Sequence, residues 1–92
     1  MVNVVFEKDK NRAAAYDGDK EIGECTYSQS DSMWIIDHTY VDENYRGQDI
    51  AAKLVDAVVD AAREEGVKII PLCPYAKRRF EEDEKYADVW KR

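Results

Sequence analysis

Between Met33 and Cys73 the hydrophobic period changes twice, and this constrains the fold more than any other feature of the chain. The run Met33 to Val41 is rich in aromatic and β-branched residues, the composition of a strand. After the polar loop Asp42 to Gln48, Ile50, Leu54, Val58 and Ala62 recur at every fourth position with Ala51, Val55 and Val59 beside them. Lys53, Asp56, Asp60, Arg63 and Glu64 fall on the opposite side. This spacing predicts an amphipathic helix of about four turns. It should end at Gly66, where a left-handed C-terminal cap is wanted. Val67 to Cys73 is then a short continuous apolar run, as expected of a strand covered on both faces, and Pro74 stops it. Strand, helix and strand in this order make a right-handed parallel unit, so the two strands should lie side by side or nearly so. Ligands of such units sit at the carboxyl ends of the strands. Thr39, Tyr40, Val41, Cys73 and the helix start from Gly47 to Ala51 are thereby expected around one crevice.

Upstream, Val2 to Glu7 and the Ala-rich stretch Arg12 to Tyr16 read as a hairpin across the polar break Lys8-Asp9-Lys10-Asn11. Asp17-Gly18-Asp19 makes a tight turn into a third strand, Lys20 to Tyr27, which polar Ser28 to Ser32 closes. Four strands in meander order are expected to be antiparallel. Downstream, Tyr75 to Asp83 reads as a second helix with Ala76 and Phe80 on one side. The expected order is β-β-β-β-α-β-α, an α/β fold with an antiparallel meander and one parallel βαβ unit. With 92 residues and no linker, repeat or low-complexity segment, it is read as a single domain over 1–92.

The chain carries 20 Asp+Glu against 14 Lys+Arg, a net charge of −6, which argues against a phosphate-neutralising face for nucleic acid. No apolar run reaches the ~18 residues of a membrane span, and no leader is apparent at Met1, so a cytoplasmic protein is expected. Cys25 and Cys73 are read as free thiols. The single His38 has no companion at metal-ligand spacing, so no metal site is expected.

Any anion must then be held locally, and Arg46-Gly47-Gln48-Asp49-Ile50-Ala51 is the segment suited to do it. It joins a strand to the N-terminus of a long helix, where free N–H groups and the helix dipole hold phosphate. On its own this feature is equally an ordinary helix entry.

The run from Val41 through Leu54 resembles motif A of the GNAT superfamily of N-acetyltransferases, whose pattern is Gln/Arg-x-x-Gly-x-Gly/Ala. Arg46 and Ala51 match its first and last positions. Ile36-Asp37-His38-Thr39 together with Ile69 to Tyr75 resembles the minimal, single-domain YjdJ-type branch, and the likeness covers about residues 20 to 86. It implies acetyl-CoA between two splayed parallel strands, with pantetheine along the backbone at Thr39, Tyr40 and Val41. It also implies pyrophosphate on the amides of Arg46, Gly47, Gln48, Asp49, Ile50 and Ala51, and an open acceptor pocket that takes a protein lysine or a small amine.

One departure stands out: the family's central glycine is Asp49 here. Like charges about 5 Å apart at an effective dielectric near 20 repel by roughly 3 kcal/mol before screening by salt. Alternatively Asp49 turns away and caps the helix. Lys53 and Lys77-Arg78-Arg79 could offset its charge.

Three side chains are candidates for the chemistry. His38, placed by strand alternation on the face of Trp34, Ile36 and Tyr40, is either a packed core residue or the base that takes a proton from an ammonium acceptor. Cys73 has three readings: packed small hydrophobe, acyl-accepting nucleophile or proton relay. The resemblance puts Pro71-Leu72-Cys73 against the cofactor thioester. Tyr75, like Tyr86, is a candidate to protonate the departing thiolate of CoA, although core packing explains a tyrosine equally well. The expected activity is acetyl transfer to a primary amine in a ternary complex. The rival is a CoA-binding or protein-interaction module without turnover. Acceptor and oligomeric state stay open.

Overall fold

In a computed structural model that describes residues 1–92, the chain forms one five-stranded sheet with two helices. Strands β1 (Val2–Glu7), β2 (Arg12–Asp17), β3 (Lys20–Ser30) and β4 (Met33–Val41) pair antiparallel in chain order. Helix α1 (Ile50–Glu65) crosses back to β5 (Lys68–Pro71), which pairs parallel with β4, and α2 (Pro74–Glu82) follows. The βαβ unit and the meander are those expected. Gly66 ends α1 in the left-handed conformation, φ 71°.

Two expectations at strand ends are corrected. The polar stretch Ser28 to Ser32 is not a loop: β3 runs to Ser30 and turns only at Asp31, which is left-handed at φ 51°. Its polarity reflects a solvent-facing strand whose Ser28 and Thr26 hydroxyls donate to Asp37 on β4. Strand β5 is shorter than Val67 to Cys73 and is fully covered on one face only, since Ile69 and Pro71 are buried while Lys68 is exposed and Ile70 half-buried. Pro71 supplies no N–H to the ladder. The next two amides, Leu72 and Cys73, both turn to the Ile36 carbonyl at 3.0 Å, and the strand ends there.

α1 packs its apolar side on one face of the sheet, where Ala13, Ala15, Cys25, Tyr27, Trp34, Ile36 and Ile69 meet Leu54, Val55, Val58, Val59 and Ala62 in one buried cluster. Within it Tyr27 and Trp34 stack at 4.2 Å between ring centroids, with Phe6 stacked 6.0 Å from each. The opposite face carries no helix over β1 to β3. There Arg12 bonds Glu7 and Glu24 at 2.8 Å and Glu21 at 3.0 Å, and Tyr16 donates to Glu7. Ala14 of β2 has no exposed surface.

A bulge in β4 decides what faces the helix. Thr26 pairs with His38, but the next β3 residue, Tyr27, pairs with Ile36, so Asp37 is the extra residue. One added residue swaps every side chain beyond it to the other face. His38 and Tyr40 therefore leave the face of Trp34 and Ile36, against the alternation read from the sequence. Both are exposed on the open face, Tyr40 by 50%, while Thr39 takes the inward place opposite Cys25.

The C-terminal residues close the outer edge of β5. Ile69 N–H donates to the Val89 carbonyl at 2.6 Å, and Lys91 N–H donates to Ile69 at 2.8 Å. Phe80 stacks on Tyr86 at 4.7 Å, with Trp90 edge-on. No helix is long and apolar enough to cross a membrane.

Gly23 lets β3 approach the end of β4. A Cβ there would stand 2.8 Å from the Tyr40 carbonyl oxygen and 3.3 Å from Leu54 Cδ1. Gly23→Ala is expected to destabilise the fold by about 1–3 kcal/mol through this overpacking, read as a lower urea midpoint with unchanged slope. A wild-type midpoint would show that the strand end yields without cost.

Candidate functional site

The pairing of β4 with β5 stops at Ile36 opposite Pro71. Beyond that point the bulge bends β4, α2 begins at Pro74, and the two chains part. The β5-facing edge of β4 from Asp37 to Val41 is left outside the parallel ladder. Thr39, Tyr40 and Val41 thus lie along the unpaired end of β4 on one side of this cleft between the strands, and Cys73 lies just past the end of β5 on the other.

Two buried sulfurs share one hydroxyl there. Cys73 Sγ donates to Thr39 Oγ1 at 3.5 Å, and Thr39 Oγ1 donates to Cys25 Sγ at 3.6 Å. Both cysteines are buried and free. Their surroundings push them apart. Burial drives the Cys25 thiol up to about 12, with only the Thr39 hydroxyl working the other way among its neighbours. At Cys73 burial also raises the thiol, but the Thr39 hydroxyl and the backbones of Ala76, Tyr75 and Thr39 outweigh it and bring it below its usual range. The geometry explains this: Cys73 is the N-cap residue of α2, so its sulfur sits at the positive end of a helix without forming a full capping bond.

The second part of the site is the entry to α1. Tyr45 donates to Asp17 at 2.7 Å and Asp42 accepts from the Asn44 amide at 2.9 Å, which anchors the connection from β4. Gly47 is left-handed at φ 88° and Asp49 at φ 59°. The first bond of the helix runs from Lys53 N–H to the Asp49 carbonyl, and no side chain caps the amides before it. Asp49 is therefore not the cap that was its alternative reading; a left-handed N-cap residue turns its carboxylate from N2 and N3. Arg46, Gly47, Gln48 and Asp49 are exposed, Ala51 is half-buried and Ile50 is buried.

Other candidates lie elsewhere. Tyr75 is half-buried beside Cys73 in the first turn of α2. Tyr86 is committed to structure: its hydroxyl donates to Asp56 of α1 and accepts from Arg79 at 2.7 Å. This removes Arg79 from the basic patch and leaves Lys77 and Arg78 exposed. His38 faces away from the sulfurs, across the sheet. A depression of about 270 Å³ bounded by Arg63, Gly66, Val67, Lys68, Asp88 and Val89 lies at the far end of α1. Its charges are satisfied internally, with Arg63 on Asp88 at 2.8 Å. Sequence reasoning used Thr39 only for its backbone and overlooked its side chain. The signal that could have found it is the polar Asp37-His38 pair, which breaks the apolar run at the bulge.

A family model described as GCN5-related N-acetyl-transferase matches residues 12–89. A GCN5-like candidate N-acetyltransferase from Staphylococcus aureus, solved by NMR, is 34% identical with a TM-score of 0.76, over 97% of this chain and 87% of that one. A ribosomal-protein-alanine N-acetyltransferase from Brucella melitensis biovar Abortus is 23% identical, TM-score 0.66, over 82% of this chain and 62% of that one. A candidate streptothricin acetyltransferase from Bacillus anthracis, in complex with acetyl coenzyme A, is 20% identical, TM-score 0.60, over 78% of this chain and 45% of that one. The chain thus spans less than two thirds of the latter two. No curated protein matches it. With the family model covering β2 to β5, both helices and the cleft between β4 and β5, the chain belongs to the GCN5-related N-acetyltransferase family.

Proposed function

We propose that the chain transfers an acetyl group from acetyl-CoA to a primary amine, a protein lysine or a small amine, by direct attack on the thioester in a ternary complex. The observation that carries this is the parting of β4 and β5 beside an uncapped helix N-terminus, with a sulfur cluster between. In this reading the β4 backbone at Thr39, Tyr40 and Val41 receives the pantetheine arm and polarises the thioester carbonyl. The amides from Arg46 to Ala51 hold the pyrophosphate. The Bacillus anthracis relative, a complex with acetyl coenzyme A, supports the choice of acyl donor. An amine is nucleophilic only when neutral, and lysine starts near a pKa of about 10.4, so a base must take its proton. His38, on the open face across the sheet from the sulfurs, is that base in this reading, which puts the acceptor amine on the open face. Cys73 and Tyr75 line the thioester end.

The carboxylate of Asp49 at the helix entry favours a second reading, a weak CoA binder without turnover. Native mass spectrometry of freshly purified protein, followed by CoA thiol release on adding a polyamine or lysine peptide, separates the two. Retained CoA and amine-dependent release are expected; CoA without release supports the binder, and neither overturns both.

The anion site is tested by a pair of variants. Asp49→Gly removes a charge and a left-handed Cβ, and about tenfold tighter acetyl-CoA binding is expected once salt screening is allowed for. Gly47→Glu should weaken binding. Titration calorimetry on both checks this, and unchanged affinity in Asp49→Gly would show that its carboxylate points away from the ligand.

His38→Gln should keep acetyl-CoA affinity while flattening the acidic limb of rate against pH, because a base acts only when unprotonated. An unaltered profile would remove His38 from the chemistry. Incubation with acetyl-CoA alone and acidic peptide mapping should leave Cys73 unacetylated on the time scale of turnover. Kinetically competent acetyl-Cys73 would replace direct transfer by a relay.

A further inference from the structure

We infer that the Thr39 hydroxyl is a positioning group that turns between the two sulfurs, donating to Cys25 while Cys73 is a thiol and to Cys73 once that thiol has given up its proton. A hydroxyl has one hydrogen and two lone pairs. In the state observed it spends its hydrogen on Cys25 and accepts from Cys73. Ionised Cys73 can no longer donate, and its charge calls for a donor at the same place. Rotation of one O–H supplies that donor without moving the backbone, and Cys25 is the partner given up. Cys25 suits this part because burial keeps it neutral, so losing the bond leaves no stranded charge.

Cys73 is set to depend on this donor. From β4 it meets the Thr39 hydroxyl and backbone, and from α2 the backbones of Tyr75 and Ala76. The titratable groups on the packed elements are Cys25 on β3, Tyr75 and exposed Lys77 on α2, exposed Lys53 on α1, and Asp37, His38 and Glu24 on the open face. Asp37 and Glu24 act on Cys25, and both raise it.

The inference rests on the proposed function for its role in turnover. As the amine nitrogen bonds to the acetyl carbon and the C–S bond of the thioester breaks, the CoA sulfur takes the proton of Cys73. Thr39 turns to the new thiolate. The proton shed by the acylated nitrogen then restores the Cys73 thiol, and Thr39 returns to Cys25.

The test needs no cofactor. The rate of iodoacetamide alkylation at Cys73, followed by peptide mass mapping, is measured against pH in the wild type, Thr39→Val, Thr39→Ser and Cys25→Ala. Thr39→Val should raise the midpoint by about one pH unit, roughly tenfold slower alkylation near neutrality. Thr39→Ser should restore it. Cys25→Ala removes the competing acceptor and should lower the midpoint, which decides the matter even where Thr39→Val does not fold. A wild-type midpoint in a folded Thr39→Val or in Cys25→Ala overturns the inference. Shifted midpoints in a protein that binds no CoA would leave it standing while the proposed function fails. Unshifted midpoints in an active transferase would do the reverse.

Discussion

The Ile36 carbonyl is where the sheet opens. It is the last acceptor that β4 offers β5, and it takes two amides at 3.0 Å, Leu72 and Cys73, where a continuing ladder would offer one. Pro71 has no N–H to carry the pairing onward, and Pro74 fixes the first helical φ of α2. On the other strand the bulge at Asp37 begins at the same level. Two prolines and one extra residue thus end a ladder from both sides, and a cleft results without any loop inserted to form it. Had β5 continued, Cys73 would lie in a paired strand, away from a helix N-terminus.

The bulge also sorts the side chains of β4. Before it, Trp34 and Ile36 join the aromatic stack and the α1 interface. After it, Thr39 takes the inward place, and His38 and Tyr40 face solvent. The Thr26 and Ser28 hydroxyls hold Asp37 at 2.5 and 2.9 Å, which fixes the extra residue at this position. One strand can then present backbone toward the cleft, a hydroxyl toward the sulfurs and an imidazole toward the opposite side of the sheet.

The βαβ unit was legible because its signals are periodic: the fourfold recurrence from Ile50 to Ala62 and the glycine at 66 leave little choice of element. The site was less so. Strict alternation put His38 beside Trp34, and only the pairing register with β3 reveals the added residue. Such a bulge depends on hydroxyls from another strand, which no local pattern in Met33 to Val41 records. The same limit hid the C-terminal cover, since Val89 and Lys91 reach Ile69 across 20 or so residues of chain that carry no strand periodicity. At Asp49 the pattern was legible but its meaning was not. By type the residue offered a cap as its alternative reading, whereas the backbone there is left-handed, a conformation that glycine adopts freely and aspartate tolerates at a cost.

The two cysteines show how little separates a thiol whose pKa is raised from one whose pKa is lowered. Both are buried, and both touch the same Thr39 oxygen. Cys25 lies in the middle of β3, where the backbone amides on either side are engaged in the ladder and cannot turn to its sulfur. Cys73 stands two residues past the end of pairing, where the first amides of α2 have no carbonyl to meet. Desolvation acts on both, so the difference comes from the supply of unspent donors, and that supply follows from where the sheet stops. The end of the β4–β5 ladder is therefore what brings the Cys73 thiol below its usual range while burial raises that of Cys25.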